Sequence, residues 1–497
     1  MKYQSLWLED KSKRKYPSLK NNLNVDILII GGGITGLSIA YFLRDKGYKI
    51  ALVERDKIGI GASGRNTGKI TYLQGTIYSD LCNMYNDEVA KEYLYSQDLA
   101  ISLIRNIILD EKIKCNLEKS KSYVFTENDE EIEKIKEEKN FLESIGLDVY
   151  ENVNENEKIK CKYIIGVDNT YTFNPVKYLD QLAIICKKSK IKIFEKTKII
   201  KIIKNDGYIC KTDKGLKIKC NKLILACHYP YFLKPYFMPL KVNIEKSYLG
   251  AAIVDKVKNK SYITNAYPYK SLRYYKDKEK YLIYLTNSHI ICDNLDEKRN
   301  FKQMSKEIDD LDINLSYYWS NDDLMTVDGM PYIGRLEKNN DNLFIGTGYN
   351  TWGNTNGTLA GYCLCKLVLN EKCEYEKIFD PLRVNKLSYI DKMIVNSYYN
   401  MKGYIENKLI KNKYWYNKNV SYEVINNKNV AIYKDGDKEY IVYSKCPHLG
   451  CTLIFNEIDK TWDCPCHASR FNLEGKCIKG PSNYDITYNE EDEEDEL

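Results

Sequence analysis

The sequence predicts a doubly wound α/β domain, interrupted by an inserted α+β domain and followed by a small all-β domain. A nearly continuous apolar run, Val25–Ile30, leads directly into a glycine-rich turn, which is typical of a strand in a buried parallel sheet. Strand-like runs such as Tyr281–Leu285 indicate an antiparallel sheet in the insertion. Three short strand-like runs between Val420 and Tyr443 precede two loops rich in cysteine and histidine.

Length and composition fit a protein of two or three folded units. The chain has 497 residues, of which 43% are hydrophobic and 29% are charged, an ordinary balance for globular proteins. Neither an apolar run of signal-peptide length at the start nor eighteen consecutive apolar residues elsewhere are present. We therefore expect a cytoplasmic protein without a membrane span.

The charge distribution argues against one class of binding partner, and the cysteine content indicates the redox state of the thiols. The net charge of +6 comes from lysines spread over the whole chain, so we expect no nucleic-acid binding. The last eight residues, 490–497, are almost all acidic and are expected to form a solvated tail. The chain has 16 cysteines and no secretion signal, which predicts mostly reduced thiols.

The first glycine-rich turn has the spacing of a dinucleotide-binding turn. Gly31 allows the tight turn, Gly33 lets the backbone approach a pyrophosphate, and Gly36 lets helix and strand lie close together. The helix expected at Leu37–Lys46 would present free N–H groups and a partial positive charge to the phosphates. Strand, glycines and helix in this order predict a Rossmann-like fold.

An acidic residue completes this pattern. The strand expected at Lys49–Val53 ends in Glu54, which is placed to accept hydrogen bonds from ribose hydroxyls. A carboxylate at this position disfavours the 2′-phosphate of NADP. The spacing alone leaves FAD and NAD open.

Three further motifs resemble the D-amino-acid oxidase family, in particular its glycine, sarcosine and γ-glutamylputrescine oxidase branch. They are the loop Gly59–Gly68, the segment Asp328–Gly334 and the glycine-rich stretch Gly346–Gly357. The resemblance covers about residues 22–385 and implies FAD as the cofactor. The residues that it implies for FAD binding are Gly31, Gly33, Ile34, Thr35, Gly36, Glu54, Arg55, Ser63, Arg65, Asn66, Thr67, Gly68, Gly348, Gly353, Asn354 and Thr355.

The resemblance also implies how the first 385 residues divide. FAD-binding segments are expected at about 22–80, 150–235 and 326–385, with a substrate domain at about 241–325. Arg273, which lies among tyrosines, is the candidate substrate contact because a guanidinium can bind a carboxylate through two hydrogen bonds. An ordinary strand arginine is the alternative, and Trp319 and His289 are either pocket-lining or packing residues. The catalytic residues are not identified.

Two loops near the carboxyl end carry six potential metal ligands. They read C-P-H-L-G-C at 446–451 and C-P-C-H-A-S at 464–469. A structural zinc site would use the same residue types. Six potential ligands are more than tetrahedral zinc needs, and the prolines and glycine match the loops of Rieske proteins.

The resemblance to Rieske proteins implies a [2Fe–2S] cluster in a domain at about 412–489, joined by a linker at 386–411. Cys446 and Cys464 would hold one iron, and His448 and His467 the other. Only two histidines, His228 and His289, remain for any mononuclear iron, so a Rieske oxygenase is disfavoured.

The same resemblance leads to expectations for four other residues in or next to the cluster loops. Cys451 and Cys466 match a disulfide that joins the two loops, and Ser469 matches a serine that donates a hydrogen bond to the cluster. Phe471 stands where high-potential Rieske proteins have tyrosine. One hydrogen bond to a cluster sulfur is therefore expected to be missing, which lowers the potential.

Together the two sites predict an FAD-dependent oxidoreductase that oxidises an amine or amino acid. Hydride transfer to flavin would be followed by passage of single electrons through the cluster to an external acceptor or donor protein. An electron-transfer or reductase protein without amine oxidation is the alternative. Substrate, acceptor, direction of electron flow and oligomeric state stay open.

Overall fold

The computed structural model describes residues 2–9, 11, 14–151, 160–229, 241–291, 296–311, 313–383 and 418–489. The chain divides into two compact units, one built from 1–228, 245–288 and 301–390, and the other from 229–244, 289–300 and 391–497. The expected linker at 386–411 and the acidic tail at 490–497 lie outside the described residues. In the described part of the chain, no helix combines the length and the apolar character needed to cross a bilayer.

Nine α-helices are described. They are α1 Leu6–Glu9, α2 Ile34–Leu43, α3 Ile77–Met84, α4 Asp87–Asp110, α5 Ile132–Ser144, α6 Pro175–Lys188, α7 Glu297–Asp309, α8 Gly353–Val368 and α9 Glu376–Phe379.

Twenty-five strands are described. They are β1 Lys2–Tyr3, β2 Leu23–Ile30, β3 Ile50–Val53, β4 Lys69–Ile70, β5 Glu118–Thr126, β6 Tyr150–Glu151, β7 Tyr163–Thr172, β8 Lys192–Phe194, β9 Ile199–Asn205, β10 Gly207–Thr212, β11 Lys217–Leu225, β12 Val242–Ile253, β13 Lys260–Thr264, β14 Ser271–Lys276, β15 Lys280–Ile290, β16 Leu315–Thr326, β17 Tyr332–Arg335, β18 Leu343–Thr347, β19 Val420–Ile425, β20 Lys428–Asp435, β21 Lys438–Tyr443, β22 Ile454–Asn456, β23 Thr461–Asp463, β24 Arg470–Phe471 and β25 Cys477–Lys479.

The nucleotide sheet has eight strands, with β2 at its centre. Its order is β17, β18, β11, β2, β3, β8, with β10 and β9 attached through β11. Strands β11, β2, β3 and β8 run parallel, as the Rossmann-like prediction requires. Ile27, Leu28 and Ile29 in β2 are fully buried, which explains the uninterrupted apolar run in the sequence.

The substrate sheet has ten strands in the order β1, β16, β12, β15, β14, β13, β5, β7, β4, with β6 paired to β7. Strands β12 to β15 come from the segment expected at 241–325. The sheet also takes β5 and β7 from earlier in the chain, and β13 runs parallel to β5. Strand β7 therefore lies outside the nucleotide sheet, although the sequence placed it in a FAD-binding segment.

Two short segments of the first unit have local structural causes for their sequences. In Phe173-Asn174-Pro175, the Asn174 side chain caps α6 by accepting hydrogen bonds from the amides of Val176 and Lys177 at 3.1 and 3.0 Å. Pro175 is the first residue of that helix, where its missing N–H costs nothing.

The Asp328 motif is held by a buried ion pair. Arg383 donates to both carboxylate oxygens of Asp328, at 2.7 and 2.9 Å, and Tyr85 donates to one of them at 2.9 Å. Burial alone would raise the pKa of Asp328, but the Arg383 guanidinium outweighs it and lowers the pKa. Arg383 also donates to the carbonyls of Met330 and Pro331, so it fixes the turn that follows Asp328.

The second unit is all-β in its described carboxyl-terminal part. Strands β19, β20 and β21 form an antiparallel sheet, and β22 to β25 form a second one. The first three strands match the runs predicted from the sequence. A core that includes Val442, Leu453, Trp462 and Phe471 supports the cluster loops.

Candidate functional site

The glycine-rich turn after β2 leaves no room for side chains. A Cβ at Gly36 would lie 1.9 Å from the carbonyl oxygen of Gly31, and one at Gly31 would lie 2.4 Å from that of Ala226. Helix α2 begins at Ile34, and its N-cap, Gly33, makes no side-chain capping bond. The amide of Ile34 donates to Ser63 Oγ at 3.0 Å, and the close backbone packing of the turn is the arrangement expected for a dinucleotide site.

Glu54 lies at the end of β3 beside this turn. Its carboxylate accepts hydrogen bonds from the amides of Gly32 and Asp56 at 2.8 and 2.9 Å. Burial raises its pKa, against the opposing effect of these two amide donors. Carboxylate oxygens have further lone pairs, so Glu54 can also accept ribose hydroxyls.

The second part of the expected flavin-contacting loop Gly59–Gly68, residues 62–68, is braced along its carbonyl groups. Buried side chains from distant parts of the chain donate to five consecutive carbonyls. The pairs are Ser5 Oγ to Gly64 O at 2.7 Å, Trp319 Nε1 to Arg65 O at 2.8 Å, Trp7 Nε1 to Asn66 O at 2.6 Å, and Arg273 Nη1 to Thr67 O at 2.8 Å and Gly68 O at 2.7 Å. These donors restrain the backbone of residues 64–68.

Arg273 therefore has a different place from the one expected. Its Nη1 also donates to the carbonyl of Phe173 at 3.0 Å, and the side chain is buried. Burial lowers its pKa to about 9. Arg273 is not among the described residues that line the cavity below, and its guanidinium holds the backbone of the loop through these hydrogen bonds. Trp319 is likewise a bracing residue.

The late glycine-rich stretch meets this loop. The side-chain amides of Asn66 and Asn354 exchange hydrogen bonds at 3.2 Å, and Thr35 Oγ1 lies 2.8 Å from the Tyr349 hydroxyl. Gly348 has φ +72°, and a Cβ there would lie 2.5 Å from Thr326. Helix α8 then begins at Gly353 without a side-chain cap. Its first amides can face the pyrimidine end of a flavin.

One cavity opens between these loops and a face of the substrate sheet. Asn66, Thr67 and Lys69 form its first wall, and the segment from Thr351 to Thr355 extends that wall. The opposite wall comes from alternate residues of β12, which are Glu245, Ser247 and Leu249, and from neighbouring positions of β14, β15 and β16. All lining residues belong to the first unit. The cavity thus lies between the residues expected to contact flavin and the substrate sheet.

In the second unit, two six-residue loops face each other. A bridge between Lys445 and Thr452 closes the loop 446–451, and the β23–β24 pairing of Asp463 with Arg470 closes the loop 464–469. Left-handed residues occur in both loops, Gly450 at φ +76° and Ala468 at φ +59°. Each loop thus projects one cysteine and one histidine from a fixed base.

The side chains on these loops suit a metal cluster. Cys446 and Cys464 are free, buried and in contact with each other. The rings of His448 and His467 lie 5.0 Å apart, and the buried Nδ1 of His467 has no hydrogen-bond partner. Two free thiols and two neighbouring imidazoles on facing loops are the residue types of a His₂Cys₂ iron–sulfur site.

The structure confirms the disulfide between Cys451 and Cys466. The sulfurs of both cysteines lie within 4.8 Å of that of Cys464, so the bond lies directly beside the proposed ligands. Ser469 Oγ accepts the amide of Ser482 at 2.9 Å and contacts Cys446. The loop at 480–482 is thereby tied to the cluster loops.

Comparisons with known proteins identify both parts of the chain. The model of the DAO family, FAD dependent oxidoreductase, matches residues 26–367, and the model of the Rieske [2Fe-2S] domain matches residues 410–488. The cofactors of these two domains are FAD and a [2Fe–2S] cluster. The nucleotide site is therefore one for FAD and not NAD, and the cysteine and histidine loops hold a cluster and not zinc.

Individual relatives agree with this division. The chain is 27% identical to the "Putative Rieske 2Fe-2S iron-sulfur protein YhfW" of Bacillus subtilis, over 96% of both chains. It is 22% identical to the γ-glutamylputrescine oxidoreductase of Escherichia coli, over 71% of this chain and 85% of that one. Glycine oxidase from Geobacillus kaustophilus shares the fold, with a TM-score of 0.61 at 16% identity, covering 73% of this chain and 100% of that chain.

The sequence analysis did not predict the two carboxylates of the cavity wall, nor the residues near the amino terminus that donate hydrogen bonds to the loop at 62–68. Glu245 and Asp323 each lie in a largely buried strand. An acidic residue in such a strand is unusual and could have marked both positions as candidate site residues. Ser5 and Trp7 carry no comparable signal because their partners are about sixty residues away.

Proposed function

We propose that this chain, which belongs to the FAD dependent oxidoreductase family and carries a Rieske [2Fe-2S] domain, oxidises a small amine or amino acid and delivers electrons singly to an external acceptor. The observation that carries the proposal is the cavity between the braced loop at 62–68 and the substrate sheet. Bound FAD would supply a hydride acceptor there, and the cluster would supply a one-electron carrier.

The proposed oxidation of the amine is balanced in atoms, electrons and protons. The C–H bond next to nitrogen breaks with loss of two electrons, and the nitrogen forms a double bond to that carbon. Water then converts the imine to a carbonyl compound and ammonium. For a primary ammonium ion, two equivalents of a one-electron acceptor take up the electrons, and two protons are released.

The chain's own residues orient the reactants. We assign the pyrophosphate to the turn at Gly31–Gly36 and the ribose to Glu54. The braced loop at 62–68 and the start of α8 would hold the flavin edge, and the substrate sheet would exclude water from the other side. In the second unit we assign the irons to Cys446, Cys464, His448 and His467, as the donor set suggests.

The test is an anaerobic screen of amines and amino acids against the purified holoprotein. Bleaching of the flavin absorbance by one of these compounds supports the proposal. If none bleaches the flavin while a one-electron donor protein reduces it, the chain is an electron-transfer or reductase protein instead.

We expect FAD to be bound non-covalently. The cofactor-binding loop at 61–68 contains no cysteine or histidine, and neither residue type lines the cavity in the described part of the chain. Denaturation and precipitation should therefore release all yellow colour into the supernatant. Colour that stays with the precipitate would contradict this expectation.

Phe471→Tyr should raise the cluster potential. Phe471 is fully buried in the same core as Cys446 and Cys464. A tyrosine hydroxyl bonded to a cluster sulfur would stabilise the more negative reduced state by about 1 kcal/mol, or about 40 mV for one electron. Potentiometric titration measures this, with Phe455→Tyr as the matched control. An unchanged or lower potential would show that no such bond forms.

A further inference from the structure

The cavity wall contributed by the substrate sheet contains two carboxylates. Glu245 on β12 and Asp323 on β16, two neighbouring strands, both line the cavity. Glu245 is only 7% exposed, and it bonds to Ser288, while Asn321 donates to Asp323 at 3.0 Å. Neither carboxylate has a salt bridge within the described residues. Glu245 is thus buried and Asp323 is partly buried, and two such neighbouring carboxylates without a cationic partner are costly unless a ligand supplies the charge.

The cavity offers little to a negatively charged ligand. Among its described lining residues the only basic one is Lys69, because Arg273 lies behind the loop and donates to carbonyls. Lys69 Nζ donates to the Tyr262 carbonyl at 2.8 Å, and burial lowers its pKa to about 7. A substrate carboxylate would therefore find no bidentate guanidinium and would face two acids.

We propose that the cavity binds a cationic amine without a carboxylate next to the reacting nitrogen, and that Glu245 and Asp323 are the residues that hold its ammonium group. This deepens the proposed function, on which it rests, by choosing amines over amino acids. The similarity to a protein named γ-glutamylputrescine oxidoreductase agrees with an amine substrate.

The ionisation of the two acids supports the same choice. Burial, followed by the charge of Asp323, raises the pKa of Glu245 to about 7, and burial raises that of Asp323 to about 6. Both groups become negative as the pH rises through this range, so cation binding should tighten from pH 5.5 to pH 8. The other titratable groups lining the cavity are Lys69 and Tyr269, and loss of the Lys69 charge acts in the same direction.

A binding experiment tests the charge preference without turnover. tert-Butylamine carries a cation but has no hydrogen on the carbon next to nitrogen, so it cannot be oxidised in this way. Pivalate is its anionic counterpart of similar shape, and tert-butanol is the neutral one. Perturbation of the flavin spectrum of the oxidised holoprotein reports binding at pH 8. We expect tert-butylamine to bind more tightly than the other two, and tighter binding of pivalate would overturn the proposal.

Two conservative variants test the residues. Glu245→Gln and Asp323→Asn should each weaken tert-butylamine binding about 10- to 100-fold, as expected for loss of one charge-assisted hydrogen bond. The pH dependence should flatten in both. Asp322→Asn is the matched control, because Asp322 is buried on the same strand but does not line the cavity. Retained FAD and melting temperature show that each variant is folded.

Paired substrates separate this inference from the proposed function. n-Butylamine and norvaline differ only by a carboxylate, and we expect the amine to reduce the flavin faster. Reduction by norvaline but not by n-butylamine would overturn the inference and leave the oxidoreductase function in place. If neither n-butylamine, norvaline nor any other amine or amino acid reduces the flavin, the proposed oxidation of amines or amino acids is wrong. The binding experiment with tert-butylamine and pivalate still decides the charge preference of the cavity. Unchanged binding in both variants would also overturn the inference.

Discussion

Cys464→Ser should abolish the [2Fe–2S] centre, retain FAD and leave flavin reduction by substrate intact, while turnover with a one-electron acceptor collapses. Cys464 is buried at the base of the second cluster loop and contacts Cys446. The residues that we assign to FAD belong to the other compact unit, so we expect that unit to fold without this thiol. Absorbance and low-temperature electron paramagnetic resonance report the cluster, and anaerobic single-turnover kinetics report the flavin.

Cys477→Ser is the matched control for this variant. Cys477 is a buried free cysteine of the same domain whose thiol donates to the carbonyl of Ser482 at 3.1 Å, a bond that serine can also make. It should keep cluster and turnover. Loss of FAD in Cys464→Ser would contradict the two-unit description, and undiminished turnover would make the Rieske domain structural or sensory.

Arg273→Met should release FAD and lower the stability of the first unit. The variant leaves the carbonyls of Thr67 and Phe173 without their side-chain donor, while the Gly68 carbonyl keeps only the amide of Phe173 at 3.1 Å. Each unsatisfied group costs about 1–3 kcal/mol, partly offset because the buried guanidinium is no longer desolvated. We expect a net loss of about 3 kcal/mol in the free energy of unfolding. Denaturant titration and FAD fluorescence on dilution measure the two effects.

The control for Arg273→Met is Arg335→Met. Arg335 forms ion pairs with Asp341 and Glu376, both of which are largely exposed, and such pairs contribute little to stability. That variant should keep FAD and nearly all of its stability. Equal FAD affinity in wild type and Arg273→Met would show that the bracing of the loop at 67–68 is dispensable.

The nucleotide turn and the cluster loops could be predicted from sequence because their chemistry is local. Gly31 to Gly36 and the two loops at 446–451 and 464–469 use residues within a few positions of one another. Steric constraints fix such spacings, because a Cβ at Gly36, for example, would lie 1.9 Å from the carbonyl oxygen of Gly31. The three strands between Val420 and Tyr443 were also predicted from local sequence runs, and the second and third are longer in the structure than the predicted runs.

Long-range pairing could not be predicted. The substrate sheet joins β13 to β5, more than a hundred residues earlier, and no local pattern specifies that partner. The role of Arg273 depends on three carbonyls about 100 to 206 residues away in the chain, which is why its position among tyrosines suggested a substrate contact. Glu245 and Asp323 face one cavity only because β12 and β16 are neighbours in that sheet.

The most direct measurement of the central claim is an anaerobic titration of the wild-type holoprotein with a reducing amine, followed simultaneously by flavin absorbance and by the paramagnetic signal of the reduced cluster. If electrons from the substrate pass to the Rieske domain, the cluster signal should grow along with flavin bleaching in the same samples. A bleached flavin beside a cluster that stays oxidised, although dithionite can reduce it, would contradict the account.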